Sequence, residues 1–458
     1  MLLKTLNPFD DSLVDERPYS TSDEIDNALS QANAAQAQWR RVPIEERRDC
    51  VLAAMKWFSE HAATVAHDIT TQMGKPLLES TGECSTMLAR AETMGDIAQN
   101  ALASEVFCGN DGIEKTIHHA PLGTVLAIAA WNYPLLITVN VVVPALIAGN
   151  AVVIKHSERT PLCGDHFLNA LRSVGPKGLV SSLMVTHEGV ARLVADKRIN
   201  HVAFTGSIAG GQAIQRAVGD RFLSVGLELG GNDPAYVAQD CDVEYAAANI
   251  VEGACYNAGQ SCCAVERVYV HKAIHAAFLD AAASHLQKLS CGNPLDPSTT
   301  IGPMANSAHL DFLQSHIDDA INRGAKLICG GNSENNRFFL PTLLDGCPND
   351  SRVMQEESFG PIVPVLRVED DEEALAHFND TSYGLTASIW TQEQSRAAWF
   401  AAHHDTGTVF QNRCDYADPL LPWTGCRDTG RGESLSHHGY HALTRRTNTH
   451  FRAAPTPE

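Results

Sequence analysis

One short segment carries most of the chemical potential of the chain: Tyr256-Asn257-Ala258-Gly259-Gln260-Ser261-Cys262-Cys263. It follows a helical stretch and precedes an apolar one, so a loop presents Cys262 where a small molecule can reach it. A thiolate adds readily to a carbonyl carbon once its pKa is lowered or a base lies nearby. A cysteine taken alone reads as a buried structural residue, so the weight rests on its company. A carboxylate stands in Leu227-Glu228-Leu229-Gly230-Gly231, 34 residues before the sulfur, and an amide in Trp131-Asn132-Tyr133-Pro134. On their own, Glu228 reads as a helix-terminal or solvated acid and Asn132 as a turn residue before proline. Cys263 reads as a small hydrophobe, because a disulfide between neighbours is strained.

One further segment could hold an anionic cofactor. Phe204-Thr205-Gly206-Ser207-Ile208-Ala209-Gly210-Gly211 follows an apolar run and opens a helix. Glycine lets backbone approach a pyrophosphate, and a helix N-terminus favours its charge. A tight strand-to-helix turn explains the same residues, and the G-x-G-x-x-G fingerprint is absent. Lys155-His156-Ser157-Glu158 follows the apolar run AVVIK, and Lys155 and Glu158 by themselves read as an ordinary surface pair.

The elements that must position these residues form an α/β pattern. The first hundred residues read as helices, one opening at Ser22-Asp23-Glu24-Ile25 and one at Pro43-Ile44-Glu45-Glu46. After Pro121, apolar runs of about five residues alternate with helices, as in a parallel sheet of βαβ units. These runs are Gly123–Ala130, Ala151–Lys155, Leu183–Thr186, His201–Thr205 and Leu223–Leu229, with a helix over Pro161–Val174. A second series places strands at Ala235–Val237, Arg267–Val270, Ala325–Cys329, Pro364–Val368 and Thr386–Trp390. Helices over Glu244–Ala254 and His271–Leu289 lie between them. The tail Ser436–Pro457 has few helix signals and suits an edge strand or a frayed end.

The 458 residues, 44% of them hydrophobic, suffice for two or three domains. A formal net charge of −20 makes a poor match for nucleic acid or an anionic membrane. No signal peptide or transmembrane helix is expected, which fits a soluble cytoplasmic protein. Thirteen scattered cysteines without a CxxC pair point to reduced thiols. The histidines lack metal-ligand spacing, so no catalytic metal is expected.

Together these segments resemble the aldehyde dehydrogenase superfamily. The cysteine segment matches F-x-N-x-G-Q-x-C with Tyr256 in place of Phe, and Glu228–Gly231 matches E-L-G-G. Trp131–Pro134 looks like W-N-[FY]-P, Phe204–Gly211 like F-T-G-S-x-x-x-G, and Glu356–Pro361 like E-E-x-F-G-P. Lys155–Glu158 is similar to K-P-S-E, with His156 in place of proline. The resemblance runs from about residue 6 to about residue 445.

The resemblance implies roles. Cys262 would add to an aldehyde, with Asn132 and the Cys262 backbone N–H holding the oxyanion. After hydride transfer to nicotinamide, Glu228 would activate water to hydrolyse the thioester. Trp131, Lys155, Ser157, Glu158, Gly206, Ser207, Gly211, Leu229, Glu357 and Phe359 would bind the cofactor. Glu158 would repel a 2′-phosphate, so NAD is expected over NADP.

The implied architecture has three parts. A doubly wound Rossmann-like cofactor domain covers 1–102 and 122–229, and an α/β catalytic domain covers 230–428. A small β oligomerisation extension, from 103–121 and 429–458, would build a homodimer or homotetramer. Two arginines of succinate-semialdehyde enzymes are missing, at Val139 and Tyr256. A neutral, aromatic or medium-chain aldehyde is therefore expected, lined by Tyr133, Tyr256 and Trp423, although Arg413 could clamp a carboxylate. Competing readings are a succinate-semialdehyde-type enzyme, a CoA-acylating enzyme and a catalytically silent homologue.

Overall fold

The computed structural model describes residues 2–108 and 113–452. Of the ranges expected for the cofactor domain and the extension, residues 1, 109–112 and 453–458 lie outside these.

Two sheets carry the chain. The first has six strands in the order Gly430–Arg431, Ser224–Glu228, His201–Thr205, Thr124–Ile128, Ala151–Lys155, Val180–Ser182. All its neighbours are parallel except the short Gly430–Arg431 strand. The second has seven, in the order Lys326–Cys329, Thr342–Asp345, Ile362–Val368, Val265–His271, Asp233–Val237, Thr386–Trp390, Thr408–Gln411. It is parallel but for Lys326–Cys329.

The central strands Thr124–Ile128, Ala151–Lys155, Asp233–Val237, Val265–His271 and Thr386–Trp390 are buried on both faces. Thr124–Ile128 and Ala151–Lys155 accordingly read as apolar runs, because helices cover both sides of a parallel sheet, whereas Val265–His271 buries Glu266 and Arg267 among its apolar residues. Glu228 ends a strand of the first sheet, and Cys262 lies just before a strand of the second. The chain thus brings the two residues together from separate sheets.

A third, antiparallel sheet joins Glu105–Cys108, Ile113–Pro121 and Thr444–Arg452. The tail reaches this sheet only from Thr444, not from 429 as expected. Residues 430–431 pair with the first sheet, and Glu433–Ser434 pairs with Trp423–Thr424.

Several other expectations are corrected. Leu2–Leu6 and Leu13–Pro18 form a hairpin where helices were expected to begin. Thr21, not Ser22, caps the first helix, in a reciprocal bond pattern with Glu24. Leu183–Thr186 is not a strand; the strand is Val180–Ser182. Ser436–Ala442 is a helix despite weak local signals. Buried Tyr440 donates to the Met94 carbonyl at 2.7 Å, so tertiary contact decides its conformation. Strands Thr342–Asp345 and Thr408–Gln411 were not anticipated.

Candidate active site

The loop before Cys262 is built from unusual backbone. Asn257, Ala258 and Gly259 have φ of 54°, 55° and 71°, a left-handed run that ends the preceding helix abruptly. A Cβ on Gly259 would lie 2.2 Å from the Gly360 carbonyl oxygen, so only glycine fits. Side chains hold the turn. The Asn257 N–H donates to Glu79 Oε2 at 3.0 Å. Asn257 Nδ2 donates to the carbonyls of Asn132 and Gln260, each at 3.2 Å. Burial pushes the Glu79 carboxyl up to about 8, against the pull of Lys75.

Cys262 is partly exposed, whereas Ser261 and Cys263 are buried. Both buried neighbours donate to Asp415 Oδ1 at 3.0 Å. The hydrogen bond with Cys262, followed by burial, raises the Cys263 thiol well above its ordinary value. It therefore stays protonated, consistent with a packing residue.

Asn132 sits in the turn between the strand Thr124–Ile128 and the helix Pro134–Ala148, which begins with proline at its first position. The first turn of that helix is anchored by Glu83, whose Oε1 accepts from Leu135 N–H at 2.8 Å and Leu136 N–H at 3.3 Å. An anion here suits the helix N-terminus. Glu83 pairs in turn with Lys75 at 2.5 Å, both side chains buried. The Lys75 ammonium also lies 4.0 Å from the Tyr133 ring centroid. The Asn132 amide donates to the Gln260 carbonyl at 3.1 Å, which ties it to the cysteine loop. The Cys262 backbone N–H finds no acceptor among the described residues.

Glu228 is held at both oxygens. Thr205 Oγ1 donates to Oε2 at 3.1 Å, and the Ser434 hydroxyl donates to Oε1. Burial raises its pKa above the ordinary value, and the two hydroxyls pull it back.

Two cavities meet here. One, of about 450 Å³, is lined by Tyr133, Tyr256 and Trp423 together with Arg90, Asn140 and Arg413. The other, of about 390 Å³, is lined by Trp131, Asn132, Gly206, Ser207, Gly230, Glu357 and Phe359. Cys262, Glu228, Thr205 and Leu229 line both. A sulfur and a carboxylate at such a junction can each act on a molecule in either chamber.

The second cavity suits a dinucleotide. Ser207 caps the helix Ile208–Val218, and the Ile208 and Ala209 N–H groups find no acceptor among the described residues. Free amides at a helix N-terminus bind phosphate. Glu357 Oε1 accepts from Gly231 N–H at 3.1 Å, and a Cβ on Gly230 would strike its carboxylate. This cavity shares Arg159 and Asn306 with an adjoining polar cavity that Glu158 lines.

Lys155, Ser157 and Gly211 line none of the three. A Cβ on Gly211 would sit 2.7 Å from Leu229 Cδ2, so Gly211 serves helix-to-strand packing. His156, buried and pushed down to about 4, uses Nε2 toward the Pro134 carbonyl at 3.1 Å. It accepts at Nδ1 from Ser157 N–H, and thus ties the Lys155 loop to the Asn132 turn.

Sequence reasoning missed several site residues. Glu266 accepts from the N–H groups of Ser358 and Phe359, each at 2.8 Å, and holds Phe359 at φ 51°. Lys75, Glu83, Arg90, Asp415 and Ser434 were missed as well. One signal was available: Glu83 and Arg90 occupy the apolar stripe of the helix Leu77–Ala101, beside Met87 and Met94. A charge in such a stripe needs a partner or a ligand.

Comparison with known proteins agrees with this geometry. The model of the aldehyde dehydrogenase family matches residues 2–449. The chain is 34% identical to an aldehyde dehydrogenase of Paenarthrobacter nicotinovorans, over 96% of this chain and 97% of that one. It is 31% identical to the succinate semialdehyde dehydrogenase Sad of Escherichia coli, over 95% of each. Among solved structures, succinic semialdehyde dehydrogenase from Streptococcus pyogenes in complex with NADP+ superposes with a TM-score of 0.94 at 27% identity. That alignment covers 98% of this chain and 100% of the other. With motifs, sheet order and full-length similarity in accord, the chain belongs to the aldehyde dehydrogenase family.

Proposed function

We propose that this protein oxidises an aldehyde to its carboxylic acid with NAD(P)+, through a thioester on Cys262 that water hydrolyses. The position of Cys262 and Glu228 at the junction of the two cavities carries the reading. The aldehyde enters the chamber of Tyr133, Tyr256 and Trp423, and Cys262 adds to its carbonyl carbon. The Asn132 amide and the free Cys262 N–H stabilise the alkoxide that forms. Bound NAD(P)+ supplies a hydride acceptor. Glu357, the Ser207 helix end, Trp131 and Phe359, which line the second cavity, would hold it. Glu228 takes a proton from water as that water attacks the thioester.

Glu228 favours hydrolysis over transfer to CoA, because a base beside the sulfur is of use only to water. The negative charge of Glu158 favours NAD over NADP. The relatives' names and two arginines in the aldehyde chamber favour a short acid semialdehyde over the neutral aldehyde expected from sequence. The third sheet is the surface through which homodimers or homotetramers would form. Reduced-cofactor formation across an aldehyde panel, with NAD or NADP and with or without CoA, tests the reading. Turnover without CoA supports it; absolute dependence on CoA, or no reduced cofactor with any aldehyde, rejects it.

A further inference from the structure

Arg90 is a buried cation that no carboxylate touches among the described residues. Only 7% of it is exposed. Its Nη1 donates to Asn140 Oδ1 and its Nη2 to the Ala417 carbonyl, both at 3.1 Å and both neutral acceptors. Its Nε is buried with no hydrogen-bond partner among the described residues. No described carboxylate lies within 4.0 Å of it. The acids that share its chamber bond elsewhere, Glu83 to Lys75, Asp415 to Ser261 and Cys263, and Glu228 to Thr205 and Ser434, although Glu83 and Glu228 favour the Arg90 charge from a distance. Glu252 is exposed at the mouth. Arg413 is exposed as well, with its guanidinium 3.4 Å from the Tyr416 ring centroid.

Buried charges are ordinarily paired, and an arginine fork matches a carboxylate in shape and in number of donors. Asn140 lines the same chamber, and its amide nitrogen donates to no described residue. Arg90, Asn140 and Cys262 line one and the same chamber, so a molecule held at Arg90 can extend to the reacting sulfur.

We infer that Arg90, together with Asn140, is the anion-binding end of the aldehyde chamber and selects substrates whose distal group is a carboxylate. A carboxylate there gives the guanidinium a directly bonded counter-ion, and the Asn140 N–H donates to one of its oxygens. The inference rests on the proposed aldehyde dehydrogenase reading and adds the residues that recognise the far end of the substrate.

The test compares succinate semialdehyde with its neutral methyl ester, methyl 4-oxobutanoate, as substrates of the full-length enzyme. The wild type is expected to favour the acid by about tenfold or more in kcat/KM, since a polar site rejects an analogue that leaves it unpaired. Arg90→Met should remove that preference, chiefly through the KM of the acid, and Arg90→Lys should retain part of it. Asn140→Leu reads the same ratio if Arg90→Met does not fold, and should lower it. Equal use of acid and ester by the wild type, or an unchanged ratio in the variants, overturns the inference while leaving the dehydrogenase reading intact. Absence of reduced cofactor with either compound and with every other aldehyde overturns both.

Discussion

The Ser434 hydroxyl donates to Glu228 Oε1, so the segment after Trp423 reaches back to hold the acid that lines both cavities together with Cys262. Thr205 takes the other oxygen at 3.1 Å. The carboxylate is thereby fixed at the junction of the two cavities rather than left to rotate.

This grip sets a pH dependence. Burial raises the Glu228 pKa, and the two hydroxyl bonds favour its charged form. A general base must be ionised, so activity is lost as pH falls through its pKa. Ser434→Ala or Thr205→Val removes one stabilising bond and raises that pKa further. Because Glu228 acts in thioester hydrolysis, the acidic limb of the kcat profile is expected to move to higher pH. A limb that stays in place, or moves to lower pH, contradicts the assignment.

Asn132→Ala removes a donor for the alkoxide. The expected loss is about 10²–10³ in kcat. Because the amide also ties to the Gln260 carbonyl, the thermal unfolding temperature is to be measured alongside. A variant that unfolds like the wild type but loses activity supports the oxyanion role; full activity rejects it.

Lys75→Met strands the buried Glu83 without its partner at 2.5 Å. Breaking a buried pair from one side costs about 3–5 kcal/mol. Urea unfolding should shift to a distinctly lower midpoint. The double variant Lys75→Met/Glu83→Gln should recover part of the loss, because it removes the orphaned charge. A double variant as unstable as the sum of its parts contradicts this account.

Much of the fold was legible because strands buried on both faces write themselves as apolar runs, as in Thr124–Ile128 and Ala151–Lys155. Cys262, Glu228 and Asn132 stood out because each sits in a short local motif. The residues that hold them did not, since they meet only through tertiary contact. Glu266 reaches the Phe359 loop across 93 positions, and Ser434 reaches Glu228 across 206. The helix Ser436–Ala442 escaped for the same reason: the burial of Tyr440, rather than local propensity, forms it. Glu83 and Arg90 were the exception, readable in principle as charges within an apolar helical stripe. The neutral substrate expected from Val139 and Tyr256 considered only where relatives place arginine. Arg90 enters the chamber from a different helix.

The most direct measurement uses Glu228→Gln mixed rapidly with aldehyde and NAD(P)+, followed by intact-mass analysis. The expected result is a burst of one reduced cofactor per site, little further turnover, and an acyl mass increment that maps to Cys262 and is absent in Cys262→Ala. Steady turnover at the wild-type rate, with no acyl adduct on Cys262, would contradict the thioester mechanism.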